Sequence, residues 1–454
     1  MTPSPHGVSR RAACCSSVRA AGGRSGSSIR PLWKRRENRP VDTPSGTRSS
    51  RPASGTWRAL AVTLAIQSLV SMAVLTVPVM APAMAESLRV SPTLIGVYIS
   101  ILYIGAMTAS LCAGPLVLRY GAIRMSQLGL LACAAGLALM AVAPGLAATA
   151  VGACLVGIGY GPITPASSHL LARTTPSHRV SLVFSVKQTG VPVGGVMAGA
   201  FVPALLLGGG TGAALLAVAA ANLACALAAQ PLRAALDGDR EPDRALTLTS
   251  LAGPIRMVLS HGALARLASF SFVFSVVQMC LATYLVTYLH SALGYSLVAA
   301  GAVLSVAQVG GVVGRVAWGY IADRWLDSRR MLAVLAAMMA ICSAAVAALQ
   351  AGVPVSLVLV LIAAFGASAT GWNGVYLAEV ARLAPPGQAS AATGGSLAIT
   401  FFGVVFGPML FGALSGAFDS YRAGFVALAV PTAFCAWALM RMARPLPPRG
   451  RGSG

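Results

Sequence analysis

The amino-acid sequence predicts an all-α membrane protein of twelve transmembrane helices in two six-helix bundles, with both termini cytoplasmic. Three observations carry this expectation. The 454 residues are 56% hydrophobic and only 10% charged, whereas soluble domains carry roughly a quarter charged residues. Apolar windows of ~20 residues, long enough for a helix to span ~30 Å of hydrocarbon, recur along almost the whole chain. Arginines gather in alternate connections. The period-2 alternation of an outer-membrane barrel is absent, so helices remain as the way to satisfy backbone polar groups in lipid.

Twelve spans follow from the hydropathy: 58–83, 92–117, 125–143, 147–171, 181–207, 212–229, 263–289, 297–321, 331–349, 354–381, 389–415 and 423–440. The odd-numbered connections are poor in basic residues, holding Arg89 in the first and Arg422 in the eleventh. The opposite side carries Arg119, Arg124, Arg173, Arg179, Arg324, Arg329, Arg330, Arg382, Arg441 and Arg444. The positive-inside rule then makes that side, and both termini, cytoplasmic.

The domains read as a basic leader at 1–56, a six-helix bundle at 57–229, a linker at 230–262, a second bundle at 263–442 and a tail at 443–454. The leader is too polar and too positive to bury a core and is expected to be disordered. The linker holds Asp237, Asp239, Arg240, Glu241, Asp243 and Arg244, which reads as a solvated mixed-charge run. The formal charge of +22 is no nucleic-acid signature. Twelve of the 33 Lys and Arg precede residue 59, and most others mark connections between spans. Seven cysteines, among them Cys133 and Cys280, sit in apolar spans as small hydrophobes. No disulfide, metal or cofactor is expected.

Two cations stand inside spans with no acid at their depth. Lys187 lies ~9 Å into span 5 and Arg315 ~12 Å into span 8, at 1.5 Å per residue, both on the cytoplasmic side of the midplane. A charge in hydrocarbon costs about 2.5–3.5 kcal/mol on insertion scales and usually marks a function. An arginine there offers a bidentate fork to a carboxylate. The other readings are that Lys187 snorkels to the headgroups and that Arg315 joins a cytoplasmic latch. Gln188 follows Lys187 directly. Span 10 adds Trp372 and Asn373 at similar depth, either as a cavity wall and a hydrogen-bond donor or as a packed pair with an interhelical hydrogen bond. Tyr160, Gln67, Ser71, Gln278, Tyr284 and Gln308 complete the polar inventory. Glu379, near the cytoplasmic end of span 10, is either a paired end-of-helix acid or a proton carrier, and His169 reads as structural.

The halves share punctuation. Gly114 leads Arg119 by five residues after span 2, and Gly319 leads Arg324 by five after span 8. Span 5 carries Gly190, Pro192, Gly194 and Gly195, and span 11 echoes it with Gly407 and Pro408. Prolines remove helix donors and glycines let backbones approach.

On these residues the chain, over 57–442, resembles the major facilitator superfamily. Its signature loop G-x-x-x-D-R-x-G-R-R/K matches at Gly319, Asp323 and Arg324. The first copy departs from it, with Leu118 in the Asp position. Span 5 resembles the G-P-x-x-G-G motif, shifted by one residue. The resemblance implies the major facilitator fold, helices 5 and 8 facing each other across the halves, and a latch at the signature loops. It most resembles the cyanate-permease and monocarboxylate-like branches. No ATP-binding loop or catalytic constellation is found, so the chain is not expected to be an enzyme.

The expected function is secondary active transport of a small anionic solute by alternating access, coupled to protons, by a monomer in a bacterial inner membrane. Its expected partners are the solute, protons and the lipid bilayer. The alternatives are an efflux pump for amphipathic compounds and, from another class, a non-transporting sensor or scramblase.

Overall fold

The computed structural model describes residues 53–176, 180–243, 252–385 and 389–442. The expected disordered leader to residue 52, the tail from 443 and linker residues 244–251 lie outside the described residues. Among the described residues every regular element is helical, and eleven stretches are long and apolar enough to cross a membrane.

The first half of the chain runs through α1 (Ala53–Val79), α2 (Ala81–Leu88), α3 (Ile95–Tyr120), α4 (Ala122–Val142), α5 (Leu146–Tyr160), α6 (Ile163–Thr174), α7 (Val180–Gln188), α8 (Gly190–Ala228) and the short α9 (Arg233–Leu236). The second half runs through α10 (Ala252–Ser260), α11 (Gly262–Leu293), α12 (Leu297–Arg324), α13 (Ser328–Ala348), α14 (Val355–Gly371), α15 (Asn373–Leu383), α16 (Ala389–Ala417) and α17 (Tyr421–Met442). Within the first half α8 packs on α1 and α4, and α5 packs on α3 and α4. Within the second, α12 packs on α14, α13 on α17 and α11 on α16.

Expected spans 5 and 6 form one apolar stretch, Val186–Leu236, of 51 residues. Helix α8 alone has 39 residues, roughly 58 Å at 1.5 Å per residue, about twice the hydrocarbon thickness. The expected connection at 208–211 is a sharp break inside this stretch, where Gly210 takes φ 77° and ψ −178°. Only glycine adopts that conformation readily.

Three other spans read as continuous are interrupted near mid-depth. One breaks between α5 and α6 at Gly161 and Pro162, one between α7 and α8 at Thr189, and one between α14 and α15 at Trp372. Helix breaks at membrane depth persist where protein or a water-filled cavity surrounds the freed backbone groups.

The start of the linker is not the solvated run expected of it. Asp237 is buried, and its carboxylate accepts from the backbone N–H groups of Ile123 at 2.8 Å and Arg124 at 3.0 Å. The N-cap residue of α4 is Gly121, which offers no side-chain cap, so Asp237 supplies one from more than a hundred residues away. Gly121 has φ 97°, and a Cβ there would stand 2.3 Å from the Asp237 carboxyl carbon. Two residues on, Asp239 pairs with His169 at 2.7 Å and with Arg173. The linker is thereby pinned to the arginine-rich end of the first half.

Four side-chain hydrogen bonds between described residues join the two halves of the chain: Tyr284–Thr93, Ser100–Val405, Ser305–Val196 and Arg315–Gln188. They run from the arginine-poor end to mid-depth. Arg315–Gln188 lies nearest the arginine-rich end.

Candidate functional site

The site is built where α6, α7, α12 and the α14–α15 break converge. Lys187 lies in the last turn of α7 and is only 1% exposed. Its ammonium meets Thr164 Oγ1 and Gln188 Oε1, each at 3.4 Å, which are long contacts for a cation. Arg315 lies on α12. Its Nη1 donates to the Gln188 carbonyl at 2.7 Å and its Nε to the Thr370 carbonyl at 3.1 Å. Both cations point into the protein, and neither meets a carboxylate among the described residues. Gln188 touches both, Lys187 through its side-chain oxygen and Arg315 through its backbone carbonyl. The snorkelling alternative for Lys187 is therefore overturned. Arg315 spends its bonds on mid-depth carbonyls rather than on the latch loop.

The Gln188 carbonyl is available for a local reason. In an unbroken helix it would accept from the N–H of the residue four positions on, which is Pro192, and proline has none. Arg315 takes that vacated acceptor across the boundary between the halves.

The remaining expected site residues divide. Thr164, which bridges Lys187 to Gln67 through a 3.3 Å bond to Gln67 Oε1, is exposed although its hydroxyl meets interior groups. Gln67 also donates to Ser71 at 3.3 Å. Tyr160 lies beside Arg315 and Ser71 and packs edge-on against Tyr103. Asn373 is partly buried and donates to Gln278 Oε1 and the Thr370 carbonyl, both at 3.4 Å. Trp372 is 1% exposed, boxed in by Phe274 and Tyr376, with its Nε1 donating to Gln278 at 3.1 Å. It is packed inside the second half and forms no open wall, because the α14–α15 break turns the indole toward α11.

Around the expected gates the structure separates two groups of glycines. A Cβ on Gly114 or Gly319 would meet nothing within 4 Å, so the signature-loop glycines make no close helix approach here, contrary to expectation. Arg119 stacks over Tyr120 at 5.7 Å, and Arg324 is exposed. The Asp323 side chain lies outside the described residues. In span 5, by contrast, a Cβ on Gly190 would stand 2.9 Å from Gln67, one on Gly194 2.3 Å from the Ser68 carbonyl, and one on Gly195 2.2 Å from Gln308. Gly407 sits against Val276, and the Pro408 carbonyl accepts from the Tyr284 hydroxyl at 2.8 Å. Glu379, fully buried, accepts from Arg329 at 2.5 Å and from Arg382 at 2.8 Å. This is the paired end-of-helix reading.

Sequence reasoning missed Thr164 and the Thr370 carbonyl, neither of which carries a distinguishing signal. It also missed that Pro192, which has no N–H, frees the Gln188 carbonyl to accept from Arg315, for which the four-residue spacing from Gln188 is a usable sign.

The chain matches the model of the Major Facilitator Superfamily over residues 60–394. It belongs to that superfamily. Solved structures of similar fold include the nucleoside transporter NupG, in a mutant form, at 17% identity and TM-score 0.70, covering 85% of this chain and 100% of that one. A bacterial homolog of the human lysosomal transporter Spinster, inward-facing and occupied, aligns at 18% identity and TM-score 0.65 over 87% of this chain and 98% of that one. A POT family transporter with a thioalcohol-conjugated peptide aligns at 12% identity and TM-score 0.69 over 85% and 96%. These likenesses concern the fold alone. No curated protein sequence matches this chain. As a superfamily member, the chain is a multi-pass membrane protein of a transporter family.

Proposed function

We propose that this protein is a secondary active transporter for a small anionic solute, working by alternating access in a bacterial inner membrane. The observation that carries the reading is the convergence of Lys187 and Arg315 with no carboxylate partner among the described residues. Two uncompensated cations in a low-dielectric site are costly unless a ligand supplies the missing negative charge. A carboxylate fits between an ammonium and a guanidinium by charge and by fork geometry. Gln188, Tyr160 and Asn373 stand close by to orient it, and Trp372 backs the site from within the second half.

In this reading the Val186–Leu236 stretch counts as two crossings divided at Gly210, giving twelve. The bundles are 57–229 and 263–442, and the arginine-rich end faces the cytoplasm. The span 5 and span 11 glycines and prolines serve the moving interface, while Arg119, Asp323, Arg324, Gly114 and Gly319 belong to the cytoplasmic loops. Proton symport would help an anion enter against a potential worth about 2.3 kcal/mol per charge per 100 mV. The cyanate-permease and monocarboxylate-like branches supply the first solutes to try, and the working unit is taken as the monomer.

Uptake by the purified protein in liposomes tests this, with labelled cyanate and short monocarboxylates set against a labelled nucleoside and an amphipathic cation. Anion uptake that Arg315→Ala abolishes, with the variant still folded, is expected. Transport of the cation alone would replace this reading with efflux of amphipathic compounds.

A further inference from the structure

We infer that Pro192 is a positioning residue for Arg315, and that the bond it makes possible is a polar clasp holding the two halves in this conformer. The chemistry is local. Pro192 has no N–H, so the Gln188 carbonyl lacks its helical donor. Arg315 Nη1 reaches that carbonyl at 2.7 Å from the other half of the chain, 127 residues away. Its Nε is held on its own half by the Thr370 carbonyl at 3.1 Å. The guanidinium therefore ties α7 to both α12 and the end of α14.

The position of this bond gives it leverage. It is the inter-half hydrogen bond nearest the arginine-rich end among the described residues. Closer to the arginine-poor end, α12 is already in backbone contact with α8, which continues the same expected span beyond Thr189: a Cβ on Gly199 would stand 2.4 Å from the Gly301 carbonyl, and one on Gly301 2.4 Å from the Gly199 carbonyl. Ser305 adds a 3.0 Å bond to the Val196 carbonyl. If the halves pivot on the glycine contact, the Arg315–Gln188 bond sits at the free end of the lever. A carboxylate is a stronger acceptor than a carbonyl, so a solute reaching Arg315 would compete for the donor that closes the clasp. That last link rests on the anion reading; the clasp itself does not.

The test is a distance measurement between spin labels at Tyr120→Cys and Trp325→Cys, exposed positions at the ends of α3 and α12. The full-length protein, cysteine-free apart from the labels, is placed in lipid with no ligand. Pro192→Ala restores the N–H at 192, which competes for the Gln188 carbonyl. The carbonyl has two lone pairs, so the clasp weakens rather than vanishes. The ratio of the two distance populations should change about threefold, the scale of one interhelical hydrogen bond. Pro192→Gly restores the same N–H without a β-carbon and should act alike, which separates the N–H from the side-chain atoms that alanine keeps. In an Arg315→Ala background Pro192→Ala should change nothing further. An unchanged ratio, or a proline effect of equal size without Arg315, overturns the clasp and leaves Pro192 as a helix-shaping residue. Sodium acetate, against sodium chloride, should shift the wild-type ratio in the direction of Pro192→Ala. A proline effect without an acetate effect would keep the clasp and count against the anion reading.

Discussion

The Tyr284 hydroxyl reaches the Thr93 carbonyl at 2.9 Å, joining the second half of the chain to the first at the arginine-poor end. The hydroxyl also meets the Pro408 carbonyl, and it is collared by glycines on both sides. A Cβ on Gly96 or on Gly412 would stand 2.3 Å from the Tyr284 oxygen. Such a pin fits only if both neighbours lack a side chain.

The collar makes a prediction about closure. Gly96→Ala should prevent this end from shutting, because its methyl would also stand 2.2 Å from the Pro408 carbonyl. Liposome uptake should fall at least about tenfold while the protein remains monodisperse. Tyr284→Phe removes only the hydrogen bonds and should cost about 0.6–1.7 kcal/mol of the closed state, a milder loss. Equal uptake by Gly96→Ala and wild type would mean that this contact never has to form.

On the anion reading proposed above, Lys187 trades stability for function. It is a buried charge with two long hydrogen bonds and a second cation nearby. Lys187→Gln should raise the unfolding temperature in detergent, since up to about 2.5–3.5 kcal/mol of charge burial is relieved. The same change should raise the Michaelis constant for the anion. A lower unfolding temperature would indicate that Lys187 is paired in the working protein.

Glu379 should behave as a staple between α13 and α15. Glu379→Gln takes the charged acceptor from Arg329 and Arg382 and should destabilise by about 1–3 kcal/mol, less than for a fully buried pair because the Arg382 side chain is 57% exposed. The pH dependence of uptake by the surviving fraction should match wild type. A flattened pH profile with normal stability would instead identify it as the proton carrier.

At the linker, Asp237→Ala removes the cap of α4 and should cost about 0.5–2 kcal/mol, read as a lower unfolding temperature. Asp239 adds a pH dependence. Burial raises its pKa, but the His169 hydrogen bond and the Arg173 charge lower it more, leaving the carboxyl below its ordinary 3.8. A depressed carboxylate contributes stability that is present above the unfolded value and lost as pH falls through the folded one. Unfolding temperature should therefore drop more steeply below pH ~4 in wild type than in Asp239→Asn. Parallel acid limbs for the two proteins would remove Asp239 from the linker's anchorage.

Much of the molecule was legible in the chain. Hydropathy located each of the eleven stretches that are long and apolar enough to cross a membrane, because a span needs only a continuous run of side chains that lipid accepts, whereas the short α10 falls where a linker was expected. Depth along a helix is arithmetic, so Lys187 and Arg315 could be placed at one level before any contact was known. Other features depend on partners far apart in the chain. Asp237 looks like an ordinary linker acid until α4 presents two bare N–H groups to it. Gly114 and Gly319 carry the motif of a close approach that this conformer does not use, while Gly96, which carries no motif, is one of the places where the halves touch.

What the sequence by itself determined is a bilayer-spanning helical chain with two stranded cations and a proline four residues after Gln188. Those properties belong to single residues or to local runs, and they hold whatever packs beside them. The tertiary structure decided where each group points. It turned Trp372 inward, buried Lys187 away from the headgroups and brought Arg315 to a carbonyl 127 residues away. Such pairings follow from which helix faces meet, and that depends on the packing of all the helices together.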